Sequence, residues 1–573
     1  MKKLPFISLV LFAIFFSPDS SAQEVFKIKK LDTRVDNLGY WRMAADQGLT
    51  APNPMVPVPS ANYTGDEIRA ICVITEDSPD VPVITGNTSQ SENSGFADPE
   101  DNNVVLNSNN SSSTPGGGLT FYGANDTYTF DGGDTWDGQL FGAGGSNSGD
   151  PTTSIGTNGR WFVGFINNSL GQTVSHSDNQ GDNWMPVVVA SGPGGGAVLD
   201  KNHLWIDNSS TSPYEGYLYD AWTDFGGAHY GEIEISVSTT NGESWEPYVI
   251  VSSNLNMGSH GQGVNITTGP DGQVYAMFAI YDGWPSNEDA MGLARSFDGG
   301  QTWEAYRMLQ NILGIRTSGT GKNMRVNSYP CITADISSGP NRGNLYAVWT
   351  NRGVPFINNG NDIDVYMVRS EDDGETWSDP VRVNQDPTGQ GKQHYFPWIE
   401  CDPESGVLCA IFYDDRNVSS TQCEVYCAVS YDAGDTWEDF KVSDVSFTPT
   451  PISGLASGYF GDYLGITANG GKAYPLWTDN RTGVALTYVS PFTFTTIVAP
   501  TNLQGTLDDT TGIVDLTWDH PLGQTFDHFN IYRGLTLLGT SYVPSFTDTL
   551  QDYGLYRYMV TAYYPQQGES GVL

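Results

Sequence analysis

Short stretches in which apolar residues alternate with polar ones, or run together, recur along most of the chain, each entered through glycine. They read GRWFVGFINN, GYLYDAWTDF, GQVYAMFAIYD, GNLYAVWTNR, GVLCAIFYDDR and GKAYPLWTDNR. A period of two, or a short apolar run bounded by turn residues, predicts a β-strand. DNNVVLNSNN (101–110) fits the same template upstream. A second pattern follows all of these strands but the last. TFDGGDTW (129–136), SFDGGQTW (296–303), SEDDGETW (370–377) and SYDAGDTW (430–437) share Ser/Thr-x-Asp-x-Gly-x-Thr-Trp. SDNQGDNW (177–184) and STTNGESW (238–245) keep Ser, Gly and Trp, with Asn179 and Thr240 at the Asp position.

Each box reads as a turn. Asp131, Asp298, Asp372 or Asp432 accepts hydrogen bonds from turn amides, the glycine takes a positive φ and the tryptophan packs between sheets. Successive box tryptophans lie 48 to 74 residues apart, a period that signals repeated supersecondary units and, with short strands, a propeller. Counting strands gives seven units, six of them with boxes. Seven blades are therefore expected, with six as the alternative, and the last blade is expected to be completed by a strand from the N-terminal region.

The boxes resemble the Asp-box (BNR) repeats of the sialidase-like β-propeller superfamily, over roughly residues 90–492. The resemblance implies an all-β fold, an Asp-box β-propeller whose boxes join the third and fourth strands of each blade. The boxes are then scaffold, since six scattered copies cannot converge on one substrate. Residues 499–573 resemble a small fibronectin type III β-sandwich, with Trp518, Tyr532 and Tyr558 as expected core aromatics. The organisation so read is a signal peptide (1–22), an N-terminal extension (23–90), the propeller (91–492) and the fibronectin III-like domain (499–573).

The extreme N-terminus, MKKLPFISLVLFAIFFSPDSSAQ, has two lysines, an apolar run and small residues before Gln23. That is the layout of a secretory signal, so a secreted or cell-surface location is expected, and the apolar run is too short to span a bilayer. A short helix is expected in NLGYWRMAADQGL and extended chain in NPMVPVPSA. Export allows disulfides, and the six cysteines (Cys72, Cys331, Cys401, Cys409, Cys423, Cys427) predict one or two local bridges. The 66 Asp and Glu against 26 Lys and Arg give a net charge of −40, which excludes nucleic acid as a partner. Structural Ca²⁺ is compatible with acidic turns such as 371–373 and 98–101, although no calcium-loop motif occurs.

If the boxes mark one face of the disc, chemistry is expected on the other, in the loops between second and third strands and in the blade-to-blade connections. Three units place an arginine in the first set: Arg352, Arg416 and Arg481, with Asp415 and Asp479 nearby. By resemblance, sialidases hold a substrate carboxylate with three arginines, which suits the always-charged, bidentate guanidinium. The alternative is that each braces its own loop against a local aspartate. The second set holds His203, His260, Tyr329, His394, Tyr395 and Asp462. Arg352, Arg416, Arg481, Tyr329 and His394 are the expected substrate-binding residues. His203, His260, Tyr395, Asp415 and Asp462 are the expected catalytic ones. The Phe/Tyr-Arg-Ile-Pro motif of sialidases is absent.

Three functions follow as expectations. The first is a secreted glycoside hydrolase on an acidic glycan. The second is a polysaccharide lyase on a uronate polymer, in which a histidine (His203 or His260) and a tyrosine move the protons. The third is a non-catalytic glycan- or protein-binding propeller.

Overall fold

The computed structural model describes residues 48–49 and 72–570, with short gaps at 114–119, 142, 144, 146, 254, 256–258, 497–499, 509, 521–525, 535, 551–553, 555 and 565–567. The expected signal peptide, nearly all of the expected short helix and the Pro-rich stretch lie outside these residues.

Among the described residues, seven antiparallel sheets precede residue 497. Their innermost strands are Ser89–Asp98, Gly149–Ile155, Val198–Ile206, His260–Thr268, Cys331–Ala334, His394–Cys401 and Gly465–Asn469. Each packs against the innermost strands before and after it, and Gly465–Asn469 meets Ser89–Asp98, which closes the series into a β-propeller. The glycine-entered runs are the second strands, buried on both faces. In Val274–Tyr281, Met277, Ala279 and Tyr281 join the cluster with the following sheet, while Ala276, Phe278 and Ile280 join the preceding one. A strand sandwiched in this way reads as an apolar run, not as an alternation. The last sheet is completed from upstream: Val81–Pro82 pairs with Leu486–Val489. Asp80 ties that segment to Arg481 at 2.6 Å and exchanges backbone-to-carboxylate bonds with Asp444.

Every box lies between the third and fourth strands of its sheet. In SEDDGETW, the Ser370 hydroxyl donates to Asp372 (2.9 Å) and accepts from the Gly374 amide (2.9 Å). Asp372 also takes the Thr376 amide (2.8 Å) and hydroxyl (2.6 Å). The same set recurs around Asp131, Asp298 and Asp432. In the two weaker copies Asn179 and Thr240 accept the equivalent amide four residues on, from Asn183 (3.0 Å) and Ser244 (2.9 Å). All six box tryptophans pack on clusters between sheets.

The expected local disulfides are not formed by the described cysteines. Cys331, Cys401, Cys423 and Cys427 are free thiols and, like Cys409, are buried as small core residues. Cys331 and Cys401 lie in one inter-sheet cluster, and Cys409, Cys423 and Cys427 in the next. The C-terminal segment is a β-sandwich of a three-stranded and a four-stranded sheet. Trp518, Phe529, Ile531, Val560 and Tyr564 form its core, with Tyr558 packed against it. Tyr532 is not part of this core: Phe529 and Ile531 face inward, so alternation turns Tyr532 the other way.

Candidate functional site

Five innermost strands carry a register shift near their start: between Ser91 and Ser94, Gly149 and Thr152, Asp200 and His203, Gln262 and Asn265, and Tyr395 and Trp398. Each bulge contains a residue with positive φ: Glu92 (59°), Asp150 (57°), Lys201 (51°), Gly263 (71°) and Phe396 (57°). A left-handed non-glycine residue costs on the order of 1–3 kcal/mol, and such strain gathers where the backbone must aim a side chain. Here it aims Glu92, Asp150 and Lys201 into one place. Gly263 answers a different need, because a Cβ there would lie 2.3 Å from the ring of Tyr329.

The result is a cleft of about 380 Å³ at the end of the channel opposite the boxes, lined among others by Glu92, Asp150, Asp200, Lys201, Trp284, Arg316, Arg325, Tyr329, Tyr459 and Asp462. The carboxyls of Glu92 and Asp150 share a hydrogen bond. Burial, with the charges of Asp150 and Asp462 added, holds the Glu92 carboxyl well above the usual carboxylate range. Asn110 spans the pair: its amide nitrogen donates to Glu92 (2.6 Å) and its oxygen accepts from the Asp150 amide (2.9 Å). Burial and the charges of Asp150 and Asp462 push Asp200 up to about 7, which corresponds to roughly 4 kcal/mol against its ionised form.

Three cations face these acids. Arg325 donates to Asp462 through Nε (2.9 Å) and Nη2, and lies over the ring of Tyr459 at 4.9 Å. Lys201 has its ammonium 4.0 Å from the centroid of Tyr463, and burial lowers its pKa. The guanidinium of Arg316 lies over the ring of Trp284, 4.2 Å from its centroid. Neither Lys201 nor Arg316 has an ion-pair partner within 4.0 Å among the described residues. In a chain with 66 acidic side chains, cations left unpaired at a channel mouth are available to an anion. Tyr329 stands among Asp462, Arg316, Asp200 and Arg325, and burial above all raises its phenol well above the usual range.

Of the residues expected from sequence, Tyr329 and Asp462 line this cleft. His260 stands directly behind it, stacked on Trp284 at 4.0 Å, and burial lowers its pKa to about 4. The others are elsewhere. His203 is held by the Ile266 amide and Asn265, both at 3.1 Å, beneath Trp398. The Tyr395 hydroxyl meets Cys423 at 2.9 Å, and Asp415 is buried in an ion pair with Lys322. His394 is enclosed by Asp364, Asp386 and Asp414 at 3.3–3.4 Å. Burial opposes its charge, but Asp414, Asp364 and Asp386 outweigh that and raise its pKa well above the usual histidine range.

The three arginines do not form a common anion clamp. Arg416 is bonded to Asp414 (2.7 Å) and Asp439 (2.5 Å), and Arg481 to Asp479 and Asp80 (both 2.6 Å). Each also covers a tyrosine of its own sheet, Tyr426 or Tyr488. Arg352 ends its strand half-buried, away from the cleft lining. At Arg416 and Arg481 the repetition reflects a brace, in which aspartates occupy the guanidinium.

Glu92, Asp150, Asp200, Lys201, Arg316 and Arg325 were not expected from sequence. One signal for them exists: Asp150-Pro151, Tyr329-Pro330 and Phe396-Pro397 repeat at the start of three blades. As for metals, the turns 371–373 and 98–101 direct carboxylates at backbone amides. Two groups of ligand type occur among the described residues, Asp224/His229/Glu234 and Asp364/Asp386/His394. In the first, His229 and Trp222 already bond Glu234 at 2.6 and 2.7 Å; the second already encloses the His394 cation and meets Arg382. No described helix is long and apolar enough to cross a membrane.

No protein-family model matches the chain, and no curated protein does. Among solved structures, it is similar to an α-L-arabinanase of Penicillium chrysogenum complexed with arabinobiose, at 15% identity, covering 63% of this chain and 97% of that one, with a TM-score of 0.38. A leech intramolecular trans-sialidase is 12% identical over 62% of this chain and 68% of its own, with a TM-score of 0.37. A PL25 ulvan lyase is 13% identical over 73% and 92%, with a TM-score of 0.35.

Proposed function

We propose that the chain is an exported carbohydrate-active enzyme, a glycoside hydrolase in the broad sense, that takes an acidic glycan into the channel-mouth cleft. The observation that carries this reading is the convergence of the Glu92, Asp150 and Asp462 carboxyls in one cleft, with Glu92 held well above the usual carboxylate range by burial and by the charges of the other two. Glycoside hydrolysis needs a carboxyl that stays protonated to donate to the leaving oxygen, beside a second group that attacks or activates water. Glu92 takes the first role. Asp462, oriented by Arg325, is the second carboxylate. Lys201 and Arg316 give the acidic group of the sugar its counter-charge. The C-terminal sandwich, read as fibronectin III-like, serves as a spacer or docking module.

A second reading, a lyase on a uronate polymer, rests on Tyr329. It lines the cleft together with Arg316 and Arg325, and its phenol, held well above the usual range chiefly by burial, keeps a proton to give to a leaving oxygen, while the guanidinium groups face a uronate carboxylate. One experiment separates the readings: the full chain is incubated with a sialyl reporter, uronate polymers and sulfated polysaccharides. New reducing ends without ultraviolet absorbance support the hydrolase. Reducing ends with the absorbance of an unsaturated uronate support the lyase. Glycan binding without products overturns both in favour of the binding propeller.

A further inference from the structure

The channel has a second mouth, at the box end. The far ends of the innermost strands surround a cavity of about 300 Å³ there, walled by Phe96, Ile206, Trp205, Ala334, Ala468 and Glu400. Phe96 and Trp205 meet edge to face at 5.7 Å, both half-buried, and the Trp205 indole N–H is already bonded to Thr268 at 3.1 Å. Their apolar surface is therefore what the cavity presents. Three carboxyls, Glu100, Glu400 and Glu404, line it against one cation, Arg342. Glu400 opens onto the cavity with no ion-pair partner among the described residues. The buried side-chain oxygen of Asn469 has no donor. The nearest cation, Arg342, is turned to the carbonyls of Ile336 and Ser337 and to Thr211.

We propose that this cavity is a second ligand site, separate from the cleft, that takes an organic ammonium group carried on an apolar body, with Glu400 as counter-ion and Phe96 and Trp205 as aromatic wall. An ammonium group brings donors only, which matches the unpartnered Asn469 oxygen and the carboxylate form of Glu400. Its charge interacts with a carboxylate sheltered from water and with the ring faces. The apolar body covers a surface that water serves poorly. A neutral polyol leaves the charge unanswered, and the acidic sugar proposed for the cleft would meet Glu400 as a like charge, so the site does not duplicate the glycan cleft. The same chemistry is carried by a free amine and by a lysine side chain of another polypeptide.

The empty site favours the protonated acid, since burial first, and Asp402 second, raise Glu400 to about 8. A cation binds the ionised form, so affinity is full above about 8 and falls as the pH drops below it. The test is titration calorimetry on the full chain with phenethylammonium, its neutral counterpart 2-phenylethanol, and Nα-acetyl-lysine methylamide. The amine is expected to bind about tenfold or more tighter than the alcohol. Glu400→Gln is expected to remove that difference while leaving alcohol binding and the melting temperature unchanged. Binding of the lysine derivative as tight as the amine identifies a polypeptide as the source; weaker binding identifies a free amine. Equal affinity for amine and alcohol, binding of neither, or an amine preference that survives Glu400→Gln overturns the proposal.

Discussion

Glu92 bears most of the chemical argument. Burial first, and the charges of Asp150 and Asp462 second, hold its carboxyl well above the usual range, which favours the protonated form. Glu92→Gln keeps the shape and the bond to Asn110 but removes the transferable proton, so turnover of an acidic glycan should fall roughly 100-fold or more while binding persists. Steady-state kinetics beside calorimetry checks this. His394 makes a contrasting case, since its proton is structural. His394→Gln leaves Asp364, Asp386 and Asp414 without their central cation and should cost about 3–5 kcal/mol in urea unfolding. His260 supplies a pH signature. Its folded pKa of about 4 lies below its ordinary 6.5, so the unfolded chain takes up the proton first. Its contribution is whole above 6.5, is lost as the pH falls towards 4 and is level below that. Comparing melting temperatures of the wild type and His260→Phe across that window isolates the effect: the difference should shrink with acid.

At the level of elements, the bulges make the site and the boxes make the blades. Gly263→Ala should displace Tyr329, because its new methyl would stand 2.3 Å from that ring in a backbone conformation that disfavours any side chain. Glycan affinity should drop more than stability does, as calorimetry beside thermal melting would show. Asp372→Ala removes the acceptor of three hydrogen bonds in an exposed turn; it should cost about 1–3 kcal/mol and leave glycan affinity unchanged. This contrast also explains what was legible in the sequence. A box keeps its residues at fixed offsets because they bond within one turn, so Ser370, Asp372, Gly374 and Thr376 could be read directly. A bulge inserts one residue into a ladder and breaks the period that a sequence reading relies on. In DKNH the histidine is the rarer residue type, yet the bulge turns Lys201 into the cleft and leaves His203 in the wall. Arg316 and Arg325 sit in the long connection before Cys331–Ala334, where no period assigns a side to any residue.

For the whole molecule, the closed ring decides where function can lie. Seven sheets leave two mouths to one channel, with paired acids and free cations at one end and an aromatic-walled cavity at the other. Closure depends on Val81–Pro82 and Asp80, so removal of residues before Ile84 should open the last sheet, lower the melting temperature and expose a strand edge prone to association. The cyclic architecture was readable from the repeat of boxes and second strands. The convergence of Glu92, Asp150, Lys201 and Asp462 was not, because it joins residues up to 370 positions apart. The central claim is that this convergence performs acid catalysis on an acidic glycan. The most direct test measures turnover of the best substrate from the glycan panel by wild type and Glu92→Gln, with affinity for that substrate measured in parallel. Near-complete loss of turnover at unchanged affinity is the predicted result. Equal turnover by both proteins would contradict it.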